Sequence, residues 1–431
     1  MSIDKQVKSG VKWTTVSTVV LAVVAILKVS VLTRFLDKSD FGLMALVTFV
    51  MGFMELFNDM GITSAILHKQ GITKKQYASL YWINWLASIV MFAVLWILTP
   101  FVASFYEQPL LNTLIPLMGL NLLLSGIGRQ YKTIEQKNLL FRSISIIDIV
   151  GALLSLGLSV YLAIYDYGVF SLVYSVVFQA LFSNICYFVI GLRKYGLLFH
   201  FHYEETREFL KIGMYQVGGQ VVNYFNRDLD VLIIGKFFSA DVLGGYSLAK
   251  QLVFRPAQFI NPVLVKVAAP ALALLQKNIE ELKKGYLKLI NIVASINIPV
   301  YVGIIIFAPL IIQILYGPGF DDIVIMVRIL SVYMMLRSLG NPVGSLVVAT
   351  GRTDLEFVWN IITLLITPLF IYIGSFYGIV GVTVSITFVM IVLYYPGWKL
   401  LVYKLTKSSF AEYFRACFVL NLNFIQIIKN R

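Results

Sequence analysis

The chain has 431 residues, of which 59% are hydrophobic and only 13% charged, and its formal net charge is +13. Its mean hydropathy is +0.83, whereas a soluble domain has an apolar share of only about 45–50%. A large soluble domain is excluded and a polytopic membrane protein is required.

Apolar runs of roughly 20 residues suit a ~30 Å hydrocarbon core at 1.5 Å per helical residue. They recur near 12–35, 41–66, 78–103, 110–128, 143–165, 168–190, 212–236, 242–270, 288–313, 322–349, 355–374 and 378–402. The runs are long and continuous, while membrane-barrel strands would be segments of about ten residues with alternating polarity. The spacing therefore predicts an all-α polytopic membrane protein with about twelve transmembrane helices.

Lys5, Lys8 and Lys12 precede the first run, which is too long for a signal-peptide core and lacks a convincing cleavage site, so it reads as a retained span. Within it Thr14, Thr18, Ala22, Ala25 and Lys28 form a small and polar stripe. In the second span Thr48, Gly52, Glu55 and Asp59 share a face, and the last two place like charges four residues apart in a partly buried setting. Glu55 and Asp59 are candidate ion-coupling groups, with Asp230 and Asp148 as weaker ones and pairing to Lys28 as the structural alternative.

The seventh span begins the most polar stretch, Gly213–Leu243. Gln216, Gln220, Asn223, Arg227 and Asp230 recur at helical spacing on one side of an otherwise apolar segment. An Arg or Asp at bilayer depth costs about 2.5–3.5 kcal/mol on insertion scales, so the stripe is expected to face protein or a wet cavity. The eighth span adds Tyr246, Lys250, Arg255, Gln258 and Asn261; the tenth adds Arg328, Ser331, Arg337, Ser338 and Asn341. Pro256 and Pro262, Pro299 and Pro309, Pro342 and Pro368 interrupt spans eight to eleven, and bending there is a candidate gating device.

Charge between the spans sets the orientation. With the N-terminus inside, the cytoplasmic gaps hold 23 Lys and Arg residues, and the opposite gaps hold only Arg34, Lys38 and Lys236. This bias puts both termini in the cytoplasm and accounts for most of the positive charge. Clear of the span ends, seven cations, Lys28, Arg227, Lys250, Arg255, Lys266, Arg328 and Arg337, lie inside spans with the acids Glu55, Asp59, Asp148, Asp228 and Asp230. For each cation the structural alternative is an internal ion pair or a side chain reaching to a helix end.

Other chemistry finds little support. Cys186 and Cys417 lie in separate apolar runs and read as inert thiols, and His68, His200 and His202 lack the companions of a metal site. No Gly-rich phosphate loop or hydrolase elbow occurs. No cofactor, metal or nucleic acid is expected.

The first and seventh spans match in order. Gly10 begins a segment ending Thr33-Arg34-Phe35-Leu36-Asp37-Lys38-Ser39-Asp40-Phe41-Gly42, and Gly213 begins one ending Gly235-Lys236-Phe237-Phe238-Ser239-Ala240-Asp241-Val242-Leu243-Gly244. The second copy starts six spans after the first, so the two share an orientation, as in transporters built from two parallel six-helix lobes. The expected division is an N-terminal lobe at 1–196, a cytoplasmic linker at 197–211, a C-terminal lobe at 212–403 and a tail at 404–431.

The Arg34-to-Gly42 turn, the stretch Phe57-Asn58-Asp59-Met60-Gly61-Ile62-Thr63-Ser64-Ala65-Ile66, and Asn226-Arg227-Asp228-Leu229-Asp230 through Gly244-Gly245-Tyr246 resemble the polysaccharide transporter family. These are lipid-linked oligosaccharide (O-antigen-type) flippases of the multidrug/oligosaccharidyl-lipid/polysaccharide exporter superfamily, and the resemblance covers roughly residues 5–405. It implies a V-shaped pair of lobes that moves an undecaprenyl-pyrophosphate-linked glycan across the bacterial inner membrane by alternating access. The partners it implies are that glycan, membrane lipids and polysaccharide polymerase machinery. Such cargo needs cations for the pyrophosphate and a hydrogen-bonding lining for the glycan. Lys28, Arg227, Lys250, Arg255, Arg337, Gln216, Gln220 and Asn223 are the candidate substrate-binding residues.

Two other classes compete. A cation-coupled multidrug antiporter of the same superfamily would lean on cavity carboxylates, whereas clear of the span ends seven cations here face five acids. A membrane enzyme would present a sizeable external loop, and none of the external gaps is longer than a few residues. Many relatives carry two more spans, while residues 404–431 supply only the apolar run Cys417–Ile428, expected as an interfacial segment or a truncated remnant.

Overall fold

A computed structural model describes residues 3–419 of the chain, and among them every regular element is helical. In order these are α1 (Ile3–Leu32), α2 (Lys38–Asn58), α3 (Ile62–His68), α4 (Lys74–Tyr106), α5 (Leu111–Lys137), α6 (Phe141–Ile164) and α7 (Val169–Tyr195). The chain continues through α8 (Tyr203–Phe237), α9 (Ala240–Leu275), α10 (Ile279–Leu315), α11 (Val324–Gly340) and α12 (Pro342–Thr350). It closes with α13 (Thr353–Ser375), α14 (Gly378–Gly397), α15 (Lys404–Thr406) and α16 (Phe410–Phe418), a π-helical stretch at Trp398–Tyr403 joining α14 to α15.

Ten stretches among the described residues are long and apolar enough to cross a membrane, and α8 and α9 add helices of 35 and 36 residues. Their outward faces carry large apolar side chains such as Trp96, Ile97, Phe101 and Leu365, each at least 60% exposed. Such surface is a liability in water and suits a bilayer. The all-α polytopic fold expected from the sequence is the one observed.

Two spans are divided where the sequence reads as continuous. The second breaks between α2 and α3 because Met60 (φ 47°) and Gly61 (φ 66°) both take the left-handed conformation, which ends one helix and starts another. The tenth breaks between α11 and α12, with Pro342 at the first turn of α12, where its missing N–H is harmless. Conversely, α5 runs on to Lys137, so Arg129 and Lys132, counted with a loop on charge grounds, are helical.

The contacts divide the chain into two compact units. The first comprises Met1–Tyr224, Ser239–Gly244 and Leu315–Gly317; the second comprises Phe225–Phe238, Gly245–Ile314 and Pro318–Arg431. In the first unit α1 packs on α6, and α5 lies against both α4 and α7. Thr73 and Gln76 cap α4 reciprocally, satisfying two otherwise orphaned amides.

The segment after α7 is fastened to this unit. Trp82 Nε1 donates to the Leu198 carbonyl at 3.0 Å and its ring stacks on Phe199. Ser79 Oγ donates to Glu205 at 2.6 Å and accepts from the His202 amide, Lys69 pairs with Glu208, and Phe209 and Leu210 pack with Ile62, Ala65, Ile66 and Leu80. Tyr224, the last residue of the main segment, donates to the Phe49 carbonyl of α2.

In the second unit α14 packs against both α11 and α13. The Tyr301 hydroxyl of α10 donates to the Val253 carbonyl at 3.1 Å. The short amphipathic α16 is capped by Ser409 and Glu412, and Asn291 Nδ2 donates to the carbonyls of Ala416 and Val419. Cys417 is fully buried there with Tyr286 and Tyr413, and both cysteines are free thiols. Most of the run Cys417–Ile428 lies outside the described residues.

Candidate functional site

Charged side chains inside the apolar helices gather in a few places, each within one unit. In the first unit Lys28 Nζ donates to Ser155 Oγ (2.9 Å) and Ser175 Oγ (2.8 Å). These hydroxyls in turn donate to the carbonyls of Ser175 and Leu172. Their protons are committed to backbone, so both oxygens accept from the lysine. Lys28 has no carboxylate partner among the described residues.

Asp59 pairs with neither Glu55 nor Lys28. Its Oδ1 accepts from Thr63 Oγ1 at 2.6 Å and lies 3.7 Å from Arg129 Nη1. Arg129 Nη2 also donates to Ser125 Oγ at 3.1 Å, and Asn58 Nδ2 donates to the same hydroxyl at 2.9 Å. Glu55, one turn back on α2, is exposed and makes no hydrogen bond or ion pair among the described residues. Asp148 is held by Lys132 (2.9 Å) and by the Tyr187 hydroxyl (2.7 Å), a pairing that joins α5, α6 and α7.

The denser cluster is in the second unit. Lys250 Nζ donates to Asp230 Oδ1 (2.7 Å), the Arg227 carbonyl (2.8 Å) and Asp228 Oδ1 (3.1 Å). The Tyr246 hydroxyl donates to the other oxygen of Asp230, and Arg227 Nε donates to Asp228 Oδ2 at 2.7 Å. Asp230 and Lys250 are buried, while the Arg227 side chain is 54% exposed. Next to them Phe254 and Tyr333 stack at 6.4 Å. Lys250 lies 5.4 Å and Arg337 5.6 Å from the Phe254 ring centre, and Arg337 Nη1 donates to the Tyr333 hydroxyl.

A pocket opens onto this cluster, lined by Phe225, Asn226, Arg227, Leu229, Asp230, Tyr333, Leu364, Thr367, Pro368, Ile371 and Ile386. Asn226 Nδ2 donates to the Asn360 carbonyl at 2.8 Å, and its buried Oδ1 has no partner among the described residues. Pro368, which lines the pocket with Leu364, interrupts α13 because it has no N–H to offer the carbonyl one turn back.

The polar stripe of α8 does not form one uniform face. Gln220, Asn223 and Arg227 are exposed, whereas Asp230 is buried against Lys250 and Tyr246 of α9. The side chains of Gln216, Pro262 and Lys266 lie outside the described residues. Arg255 is half-buried on α9, Asn261 accepts from Asn297 at 3.3 Å, and the exposed Arg328 donates to the Ile305 carbonyl of α10. No metal-holding group of His, Cys, Asp and Glu occurs among the described residues. Arg129, Tyr333, Phe254 and the serine pair at Lys28 escaped sequence reasoning. Only the position of Arg129, a helical turn from Ser125 at the end of an apolar run, offered a hint.

A family model described as polysaccharide biosynthesis protein matches residues 31–325. The chain belongs to that family. This polysaccharide biosynthesis protein is 30% identical to the teichuronic acid biosynthesis protein TuaB of Bacillus subtilis (strain 168), covering 96% of this chain and 86% of the relative. It is 26% identical to the lipopolysaccharide biosynthesis protein WzxC of Escherichia coli (strain K12), covering 96% and 84%. Among solved structures, the lipid II flippase MurJ in an inward closed conformation superposes with a TM-score of 0.76 at 13% identity, covering 97% of this chain and 92% of that one. An inward-facing MATE family multidrug transporter of the MOP superfamily gives 0.65 at 17% identity, covering 90% and 96%. These two structures share the fold, and with the family match they agree with the resemblance read from the turn and span motifs.

Proposed function

We propose that this membrane protein is a flippase that carries a polyprenyl-pyrophosphate-linked oligosaccharide across the bacterial cytoplasmic membrane by alternating access. Its role is transport rather than catalysis, both termini are cytoplasmic, and a polysaccharide polymerase acts on the delivered units. Membership of the polysaccharide biosynthesis family sets the process. The observation that carries the substrate class is cationic: Lys28 and Arg337 lie in bilayer-length helices with hydroxyl or aromatic direct contacts and no carboxylate in hydrogen-bond or ion-pair contact among the described residues, although Asp228 and Asp230 lie near enough to Arg337 to act on its charge. A cation left without a carboxylate at that depth is costly unless an anion visits it. A diphosphate bridge is such an anion, and the exposed Gln220 and Asn223 offer a glycan hydrogen bonds.

Ion coupling falls to the carboxylates. Glu55, exposed and unpaired among the described residues, is the group best placed to take up and release a cation, while Asp59 and Asp230 are held by Arg129 and Lys250. The alternative, a multidrug antiporter, has the MATE fold in its favour but must recruit its cationic drugs past these positive side chains.

The test is reconstitution in liposomes with a fluorescent polyprenyl-pyrophosphate-linked oligosaccharide, following its loss of protection from an impermeant quencher. Wild-type protein is expected to equilibrate the probe, and Arg227→Ala and Arg255→Ala to abolish movement while remaining folded. Normal transport in both variants removes these arginines from the site. Efflux of cationic dyes with no movement of the lipid-linked probe favours the antiporter.

A further inference from the structure

Donor counting separates the cations of the second unit. An ammonium has three N–H donors, and those of Lys250 meet the Asp230 carboxylate, the Asp228 carboxylate and the Arg227 carbonyl. Lys250 therefore has no donor left for a ligand. Asp228 holds Arg227 Nε through its second oxygen, and Asp230 holds the Tyr246 hydroxyl through its own. Two cations and two carboxylates cancel, and the cluster is neutral.

Arg337 is different. Its guanidinium has five donors in a planar fork, and among the described residues it makes a single hydrogen bond, to the Tyr333 hydroxyl. Its remaining contacts are the faces of Phe254 and Tyr333, 5.6 and 5.7 Å from the guanidinium carbon. Rings fix the plane of a guanidinium without consuming its N–H groups. The aromatic pair is itself stacked, and Tyr333 also lines the pocket beside Asp230. A rigid seat, unused donors and a surplus positive charge next to a neutral cluster are the requirements for bidentate capture of a phosphate oxyanion.

We infer that Arg337, seated on Phe254 and Tyr333, is the oxyanion-binding residue of the second unit and takes a diphosphate group, while Lys250 is a fixed counter-ion that holds α8 to α9. The inference rests on the transport reading only for the source of the diphosphate. Full-length protein in a neutral detergent is titrated with inorganic pyrophosphate, with a short-chain polyprenyl pyrophosphate and with phosphatidylglycerol, reading intrinsic tryptophan fluorescence and melting temperature. Both pyrophosphates are expected to bind the wild type. Arg337→Gln is expected to weaken them about ten- to hundred-fold, the range for losing a charged hydrogen-bond pair. Arg337→Lys, which keeps the charge and loses the fork, is expected to fall between. The double variant Lys250→Met with Asp230→Asn leaves no unpaired charge; because Lys250 shares the Phe254 ring with Arg337, a modest loss is expected, clearly smaller than that of Arg337→Gln.

Absent binding to wild type, undiminished binding by Arg337→Gln, or an equal loss in the double variant overturns the inference. Arg337-dependent binding of phosphatidylglycerol at the affinity of the pyrophosphates also overturns it, assigning the seat to bulk lipid headgroups. The two readings fail separately. Arg337-dependent pyrophosphate binding without translocation of the lipid-linked glycan defeats the transport reading alone, and unimpaired translocation by Arg337→Gln defeats this inference alone.

Discussion

Gly42 and Gly244 lie back to back, each against the first carbonyl of the other's helix. A Cβ on Gly42 would overlap the carbonyl oxygen of Ala240, where α9 begins, and one on Gly244 would overlap that of Lys38, where α2 begins. Each glycine stands four residues after the start of its helix, so the contact is reciprocal, and all four residues belong to the first unit. The two turns are those that match as repeats in the sequence. Backbone approach of this kind, with small residues at the contact, is a usual source of helix association in membranes.

Gly42→Ala or Gly244→Ala forces the two helix starts apart and is expected to lower stability by about 1–3 kcal/mol, the range for overpacking. Either methyl alone opens the contact, so the double variant is expected to cost less than the sum. Thermal unfolding of the three variants checks this, and strict additivity would mean that the glycines act independently.

Asp230→Asn leaves the Lys250 ammonium buried and short of a counter-charge. Breaking one side of a buried pair costs about 3–5 kcal/mol, whereas replacing both members is often close to neutral. Asp230→Asn and Lys250→Met are each expected to destabilise strongly, and their combination to recover most of the loss. A double-mutant cycle by chemical denaturation reads the coupling, and none would show that the 2.7 Å contact contributes nothing to stability.

At the start of α8, outside the spans, the hydrogen bond from Ser79 holds the Glu205 carboxyl below its ordinary value, with His200 adding to the effect. A carboxyl lowered on folding stabilises the protein above its ordinary value, and the contribution disappears as pH falls through the folded one. The segment between α7 and α8 is therefore expected to loosen from α4 on acidification below about 4.5, and Ser79→Ala to loosen it at higher pH. Quenching of a fluorophore attached at Phe199→Cys, in a background lacking Cys186 and Cys417, follows this. An unchanged acid midpoint in Ser79→Ala would remove the serine from the account.

Glu55→Gln and Asp59→Asn are expected to differ. Glu55 has no ion pair among the described residues, so its neutral variant is expected to lose the pH dependence of transport while keeping the fold. Asp59 sits 3.7 Å from a partly exposed Arg129, and its variant is expected to lose no more than about 1 kcal/mol of stability. Translocation rates across a pH series, paired with melting temperatures, distinguish the roles; identical behaviour of the two variants would refute the assignment to Glu55.

Run length, charge bias and the order of turns were legible without coordinates. Each depends on residues near one another in the chain: about twenty apolar residues must be helical to cross a bilayer, and lysines flanking them orient the span. The repeat was legible for the same reason, since Arg34-to-Gly42 and Lys236-to-Gly244 are each one continuous turn. What that comparison could not reveal is that the two glycines touch.

Composition and spacing along the chain set the environment of this protein, its helices and the residues that had to be explained: charges in a medium that rejects them. Their partners came from packing. Lys28 is answered by serines 127 and 147 residues away, Asp59 by an arginine from α5, and Asp230 by a lysine from α9, while Arg337 rests on two rings. Helical periodicity names the face a side chain occupies, but a buried charge is settled by whichever acceptor a neighbouring helix brings within about 3 Å, and that choice is made in packing.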